Sequence, residues 1–181
     1  MGSRMMTDKL SFKMAEMTDI PVIRQMADVA FRHTYKDILS PQQLEYMMDW
    51  MYSEESLKKQ LSGGHVYFIA ENEGRAVGYL SVEPQGKDAE TEIFHLQKIY
   101  LLPEEQGKGF GKVMFCKAIE YVKSKIASRG RIELNVNRYN KALGFYEHLG
   151  MKCLSQGDFP IGNGYFMNDY IMGLEVEKRE V

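Results

Sequence analysis

The sequence predicts a mixed α/β (α+β) fold, in which a mostly antiparallel central sheet is flanked by helices. Three observations lead there. The hydrophobic period changes from helical to two after Ser62-Gly63-Gly64, so helices come early and a block of consecutive strands follows. A strong amphipathic helix over residues 109–128 then separates that block from the remaining strands. The resulting order is strand, helices, three antiparallel-type strands, helix, strand, helix, strand, strand. It lacks the regular strand–helix alternation of a doubly wound fold.

Taken in order, residues 10–16 alternate apolar and polar side chains, as a half-buried strand does. Thr18 can cap a helix from Asp19 to about His33, with Ile20, Ile23, Met26, Ala27 and Ala30 on its apolar side. Ser40-Pro41 starts a second helix, with Ser as cap and Pro in the first turn. A third runs over 54–61 and stops at the Ser-Gly-Gly. Strands 65–71 and 76–82 are joined by the turn Asn72-Glu73-Gly74-Arg75. A polar loop over 84–90 leads to a long strand over 91–102, closed by Pro103. After helix 109–128 come a short strand over 131–136 and a helix over 140–149, ended by Gly150. Strands 151–159 and 165–176 flank the turn Ile161-Gly162-Asn163-Gly164.

Composition narrows the function classes. The 181 residues suit one domain, read as 6–181 after a probable cloning scar over 1–5. A net charge of −2 offers no nucleic-acid platform. No apolar run approaches the ~18 residues of a membrane span, so a cytoplasmic protein with no membrane partner is expected. Cys116 and Cys153 lie in apolar stretches and read as small buried hydrophobes. The four histidines are scattered and the cysteines lack ligand spacing, so no metal is expected.

The most informative segment is Leu102-Pro103-Glu104-Glu105-Gln106-Gly107-Lys108-Gly109-Phe110-Gly111-Lys112. Three glycines alternate where a helix should begin, each costing about 1 kcal/mol against alanine in a helix interior. Close approach of a ligand to bare backbone explains such a run. A helix start presents unpaired N–H groups and partial positive charge, which suits a phosphate or pyrophosphate. The dinucleotide fingerprint needs G-x-G-x-x-G, and the ATP-type loop needs Gly-Lys before Ser or Thr. Neither pattern is present.

The run from Gln106 to Gly111 resembles the Q/R-x-x-G-x-G/A signature of the GNAT superfamily of N-acetyltransferases. Asn140-Lys141-Ala142-Leu143-Gly144-Phe145-Tyr146-Glu147-His148-Leu149-Gly150-Met151 resembles that family's second motif, N-x-x-A-x-x-F-Y-x-x-x-G-F, with Asn140 one residue closer to the Ala than in the motif and Met for the last Phe. The resemblance implies the acyl-CoA N-acyltransferase fold and acetyl-CoA as cosubstrate. It implies that the pantetheine lies along the backbone of Ile99, Tyr100 and Leu101. The pyrophosphate would sit on amides of Gly107, Lys108, Gly109, Phe110, Gly111 and Lys112. Asn140 would contact the cofactor, cap the following helix, or do both, and Asn135 would border a gap between the fourth and fifth strands. Tyr146 matches the tyrosine that family members place near the cofactor sulfur, where a phenol can protonate the leaving thiolate.

The acceptor amine must attack unprotonated, which costs roughly 4.6 kcal/mol at pH 7 for an ordinary alkyl ammonium. His95 shares a strand face with Ile99 and is the candidate base, with Glu92 as its rival and a water chain as a third route. The segment Phe31-Arg32-His33-Thr34-Tyr35-Lys36-Asp37 and the tail Met167-Asn168-Asp169-Tyr170-Ile171-Met172 resemble bacterial spermidine/spermine N-acetyltransferases. That resemblance implies a polyamine acceptor, with Phe31 and Tyr35 as an aromatic wall and Asp37 or Glu92 meeting an ammonium. Competing readings are a protein N-terminal or lysine acetyltransferase, and a non-catalytic module that senses acetyl-CoA. A homodimer is compatible with the last strand, without a specific signal for one.

Overall fold

The computed structural model describes residues 10–178. The expected scar over 1–5 lies outside them. Strands are β1 (Leu10–Met14), β2 (Val66–Asn72), β3 (Arg75–Asp88), β4 (Thr91–Leu101), β5 (Arg129–Asn137), β6 (Lys152–Gly162) and β7 (Tyr165–Glu177). Helices are α1 (Ile20–Tyr35), α2 (Pro41–Tyr52), α3 (Glu54–Ser62), α4 (Phe110–Lys125) and α5 (Leu143–His148). The described chain divides into two compact units. One holds the residues up to Glu83 with Lys98–Ala118, and the other holds Pro84–Gln97 with the residues from Ile119 onward.

In the first unit the strands run β1-β2-β3-β4, and β1 and β3 both pair antiparallel with β2. Helix starts follow local chemistry. The Ser40 hydroxyl accepts the Gln43 N–H and Ser53 accepts that of Ser56, each satisfying one orphan donor. The first helix starts differently from the expectation. The turn Met17–Asp19 is a short 3-10 segment in which Asp19, not Thr18, binds back to the Glu16 N–H. The apolar sides of α1 and α2 carry Ile23, Ala27, Ala30, Phe31, Leu44 and Met47 into the core, where Tyr67, Tyr79 and Leu80 are also fully enclosed.

Gly78 on β3 marks a tight point in this unit. A Cβ there would lie 2.6 Å from the Tyr100 carbonyl oxygen and 3.0 Å from Met114 Cε. The carbonyl belongs to a strand backbone and cannot swing aside. Gly78→Ala is therefore expected to destabilise the protein by about 2–3 kcal/mol, read as a lower urea midpoint. An unchanged midpoint would mean that β3 and β4 separate freely there.

In the second unit the order is β4-β5-β7-β6. β4 and β5 are parallel, paired from Thr91–Arg129 to His95–Glu133, while β7 pairs antiparallel with both β5 and β6. Even positions of β4 and β5 (Phe94, Leu96, Ile132, Leu134, Val136) are buried, and odd positions carry mostly polar side chains.

Three expectations need correction. Residues 84–88 extend β3 instead of forming a loop, with a turn only at 89–90. The helix expected over 140–149 is shorter, because the Asn140 side chain takes the Ala142 N–H into a local turn that competes with helix. Both cysteines are exposed. Cys116 lies two residues from Met114 and from Ala118 on α4, about 200° around the helix from each, so it faces away from their buried stripe.

Candidate active site

The glycine loop keeps the character its sequence suggests. Gly107 and Gly109 have φ of 80° and 83°, a region that side-chain-bearing residues avoid. Nothing lies within 4 Å of where a Gly107 Cβ would stand, and residues 106–109 are exposed just before α4. The loop is anchored from beneath. Glu105, 2% exposed, accepts from Arg75 at 3.2 Å and from Lys108 at 3.0 Å. Gln106 Nε2 donates to the Leu101 carbonyl at 3.3 Å, tying the loop to the end of β4. Lys108 and Lys112 are both exposed, and the Lys108 ammonium is held by Glu105. A glycine loop leading into the N-terminus of a 16-residue helix fits a pyrophosphate.

Just upstream, Ile99, Tyr100 and Leu101 form the end of β4, each partly exposed. The Tyr100 ring joins an aromatic cluster with Phe31 (5.7 Å) and Tyr79 (5.6 Å), and Phe31 also meets Tyr35 (4.7 Å) and Tyr52 (5.6 Å). Phe31 and Tyr35, expected as an aromatic wall, are 1% and 5% exposed and pack as core side chains. Their helical spacing with the other buried positions of α1 accounts for that placement. Asp37 lies exposed in the turn after α1.

The same unit holds a group that sequence reasoning missed. Lys98 on β4 is buried, donating to Gln60 Oε1 at 2.8 Å and to the Tyr67 hydroxyl at 2.5 Å. Its ammonium lies 5.1 Å from the ring centres of Tyr52 and Tyr67. Burial, partly offset by Glu83, lowers it to about 7. The Tyr52 and Tyr79 hydroxyls share a 2.7 Å hydrogen bond, and burial pushes both well up. A cleft of about 510 Å³ opens against α1 and α2, lined in part by Arg24, Asp28, Arg32, Glu45 and Asp49. Arg32 there is already paired with Asp28 and Glu45.

In the second unit His95 and Asn135 come together. His95 Nε2 lies 3.0 Å from Asn135 Oδ1, and Asn135 Nδ2 lies 3.3 Å from Asp169 Oδ2. Asp169 on β7 is 5% exposed, and burial raises its carboxyl while Asn135, Arg138 and His95 pull it back. Glu92, the rival base, accepts the Ala127 N–H at 2.7 Å and so serves the chain beyond α4. Asn140 is engaged with Ala142, and Tyr146 is 7% exposed on α5 beside Phe145. Among the described residues no cluster of His, Cys, Asp or Glu could hold a metal, and no helix is long and apolar enough to cross a membrane.

Residues 25–151, well over half of the chain, match the Acetyltransferase (GNAT) family. The chain belongs to this family. An uncharacterized N-acetyltransferase of Escherichia coli, YjgM, is 33% identical over 99 residues, 55% of this chain and 56% of that protein. The chain thus spans little more than half the length of that relative. The GNAT fold is evident over nearly the whole chain. The PaiA N-acetyltransferase of Thermoplasma acidophilum, solved with coenzyme A, superposes with a TM-score of 0.71 at 23% identity, covering 93% of this chain and 98% of that one. The spermidine/spermine N-acetyltransferase SpeG of Vibrio cholerae superposes with a TM-score of 0.61 at 17% identity, covering 96% and 95%. Structures of the same fold also include a ribosomal-protein-S18-alanine N-acetyltransferase from Escherichia coli. At these identities the structures speak for the fold alone.

Proposed function

We propose that the chain transfers acetyl from acetyl-CoA to a primary amine by direct attack, with a polyamine such as spermidine or spermine as acceptor. The observation that carries the transferase reading is the glycine loop. It is an exposed loop with two left-handed glycines, pinned by buried Glu105 and opening α4, in a chain of the GNAT family. Amides from Gly107 to Lys112 hold the pyrophosphate, and Ile99–Leu101 offer strand backbone to the pantetheine. His95 takes a proton from the acceptor ammonium. The free amine forms the N–C bond, its nitrogen gives up a second proton to solvent, and the C–S bond breaks. Tyr146 gives its proton to the departing thiolate and recovers one from solvent. Each turnover turns an ammonium and a thioester into an amide, a thiol and one released proton. Support for a polyamine comes from the resemblance over residues 31–37 and 167–172, and from the exposed carboxylate of Asp37.

Thiol release from acetyl-CoA is the direct test, run against spermidine, spermine, amino acids, aminoglycosides and N-terminal peptides. Fastest turnover is expected with the polyamines. Preference for a peptide would replace the acceptor and keep the chemistry. Tight coenzyme A binding with no turnover on any amine would replace the enzyme with a sensor.

A further inference from the structure

The side chains of His95, Asn135 and Asp169 form one line across three neighbouring strands, β4, β5 and β7, on the polar face of the sheet in the second unit. Its two ends are open. His95 Nδ1 and Asp169 Oδ1 are both buried with no hydrogen-bond partner among the described residues. A purely structural network tends to close its buried ends, since orphaned polar atoms are costly. This one stops at an imidazole nitrogen.

The direction of the line follows from donor and acceptor chemistry. An ionised carboxylate only accepts, so the Asn135 group facing Asp169 is the donating Nδ2. The opposite end, Oδ1, then faces His95 and only accepts. The proton on the neutral imidazole therefore sits on Nε2, and Nδ1 carries the lone pair. Turning the amide over would set its oxygen against the Asp169 carboxylate. Two nearby charges are engaged elsewhere. Glu133, in register with His95, is held by Arg131 at 2.7 Å, and Arg138 is held by Asp158 at 2.8 Å.

We propose that Asn135 and Asp169 are positioning residues, which fix His95 in the Nε2-protonated tautomer so that Nδ1 can take the proton of the acceptor ammonium. The inference rests on the reading of His95 as the base. One N–H bond of the ammonium breaks and one forms at Nδ1, directly or across a water. The imidazolium that results carries protons on both nitrogens, and the Asn135 carbonyl and the Asp169 charge face it from the Nε2 side. The proton then leaves to solvent. Asn135 was expected to border a gap between the fourth and fifth strands, and its side chain is engaged at both ends by this line.

The test combines a spectrum with a rate. Long-range proton–nitrogen correlation of the labelled full chain reports the tautomer of each histidine, and the His95 signals are assigned by their loss in His95→Gln. The Nε2-protonated pattern is expected for His95. Asn135→Leu should mix the tautomers and lower kcat on the order of 100-fold, with the KM for acetyl-CoA within twofold, using whichever of spermidine, spermine or N-terminal peptide turns over fastest. Asp169→Asn, nearly isosteric, gives a second reading if the leucine variant folds poorly, and it should show a smaller shift in the same direction. Full activity of His95→Gln would overturn the base and the proposal with it. Loss of activity there, with unchanged tautomer and kcat in the Asn135 and Asp169 variants, would overturn the relay alone and leave His95 as the base.

Discussion

Tyr146→Phe is expected to lower kcat by about 100-fold or more, while the KM for acetyl-CoA stays within twofold. The expectation rests on where the proton is needed. Expelling a thiolate from the tetrahedral centre leaves a charge on sulfur that a nearby phenol can neutralise, and such transfers contribute roughly 10²–10⁴-fold. Phenylalanine keeps the ring that packs beside Phe145, at a position 7% exposed, so the short helix α5 should form as before. The loss then falls on kcat and kcat/KM together, the pattern of an interaction made only in the transition state. Steady-state kinetics with a fixed acceptor, alongside coenzyme A affinity by calorimetry, separates the cases. A variant with the wild-type rate would show that the thiolate leaves unaided, and the role of Tyr146 would reduce to packing. Weakened coenzyme A binding with unchanged kcat would make it a binding residue.

The glycine loop and the second family motif were legible because each depends on residues close in sequence. Gly107 and Gly109 take left-handed backbone within the run of alternating glycines that the sequence singled out, and Ser40 caps α2 as its place before Pro41 suggested. Errors arose where a local signal has two physical meanings. Pro84-Gln85-Gly86-Lys87 reads as loop by composition, yet an exposed end of a strand pair needs no apolar alternation and can carry the same residues. Asn140 announces a cap, and its side chain instead closes a turn two residues long. Cys116 was judged by its sequence neighbours, when its helical phase is what places it outside.

Long-range partners were the harder part. His95 was a candidate base from its strand position, but Asp169 lies 34 residues beyond Asn135, and only the register of β5 with β7 brings the two within reach. No local pattern encodes that register. Lys98 did leave a trace. It continues the even-numbered series Phe94 and Leu96, whose side chains point inward, so strand alternation alone directs a lysine into the core.

That lysine should give the stability curve of the protein an uncommon slope. The folded chain holds Lys98 near 7, and the unfolded chain releases the same proton near 10.5. Between those values the unfolded state binds more protons, so stability rises with pH across the window. Below about pH 7 both states are protonated, and the whole cost of burying the charge, about 5 kcal/mol by linkage, is present. From pH 7 to 9.5 the recovery should amount to about 3 kcal/mol. Lys98→Met removes the charge and keeps a long apolar stem, and the Tyr67 hydroxyl can still donate to Gln60 in its absence. Urea denaturation of both proteins across pH 6.5–9.5 isolates the effect, since every other titrating group is common to the two. The difference in unfolding free energy should favour the methionine variant most at the acidic end and shrink steadily towards pH 9.5. Measurements should stop there, because Tyr52, Tyr67 and Tyr79 are buried with raised hydroxyls, and above about pH 10 their ionisation in the unfolded chain reverses the slope. Parallel curves for the two proteins would mean that Lys98 keeps its charge in the folded state, with the acceptors on Gln60 and Tyr67 and the two aromatic faces outweighing its burial.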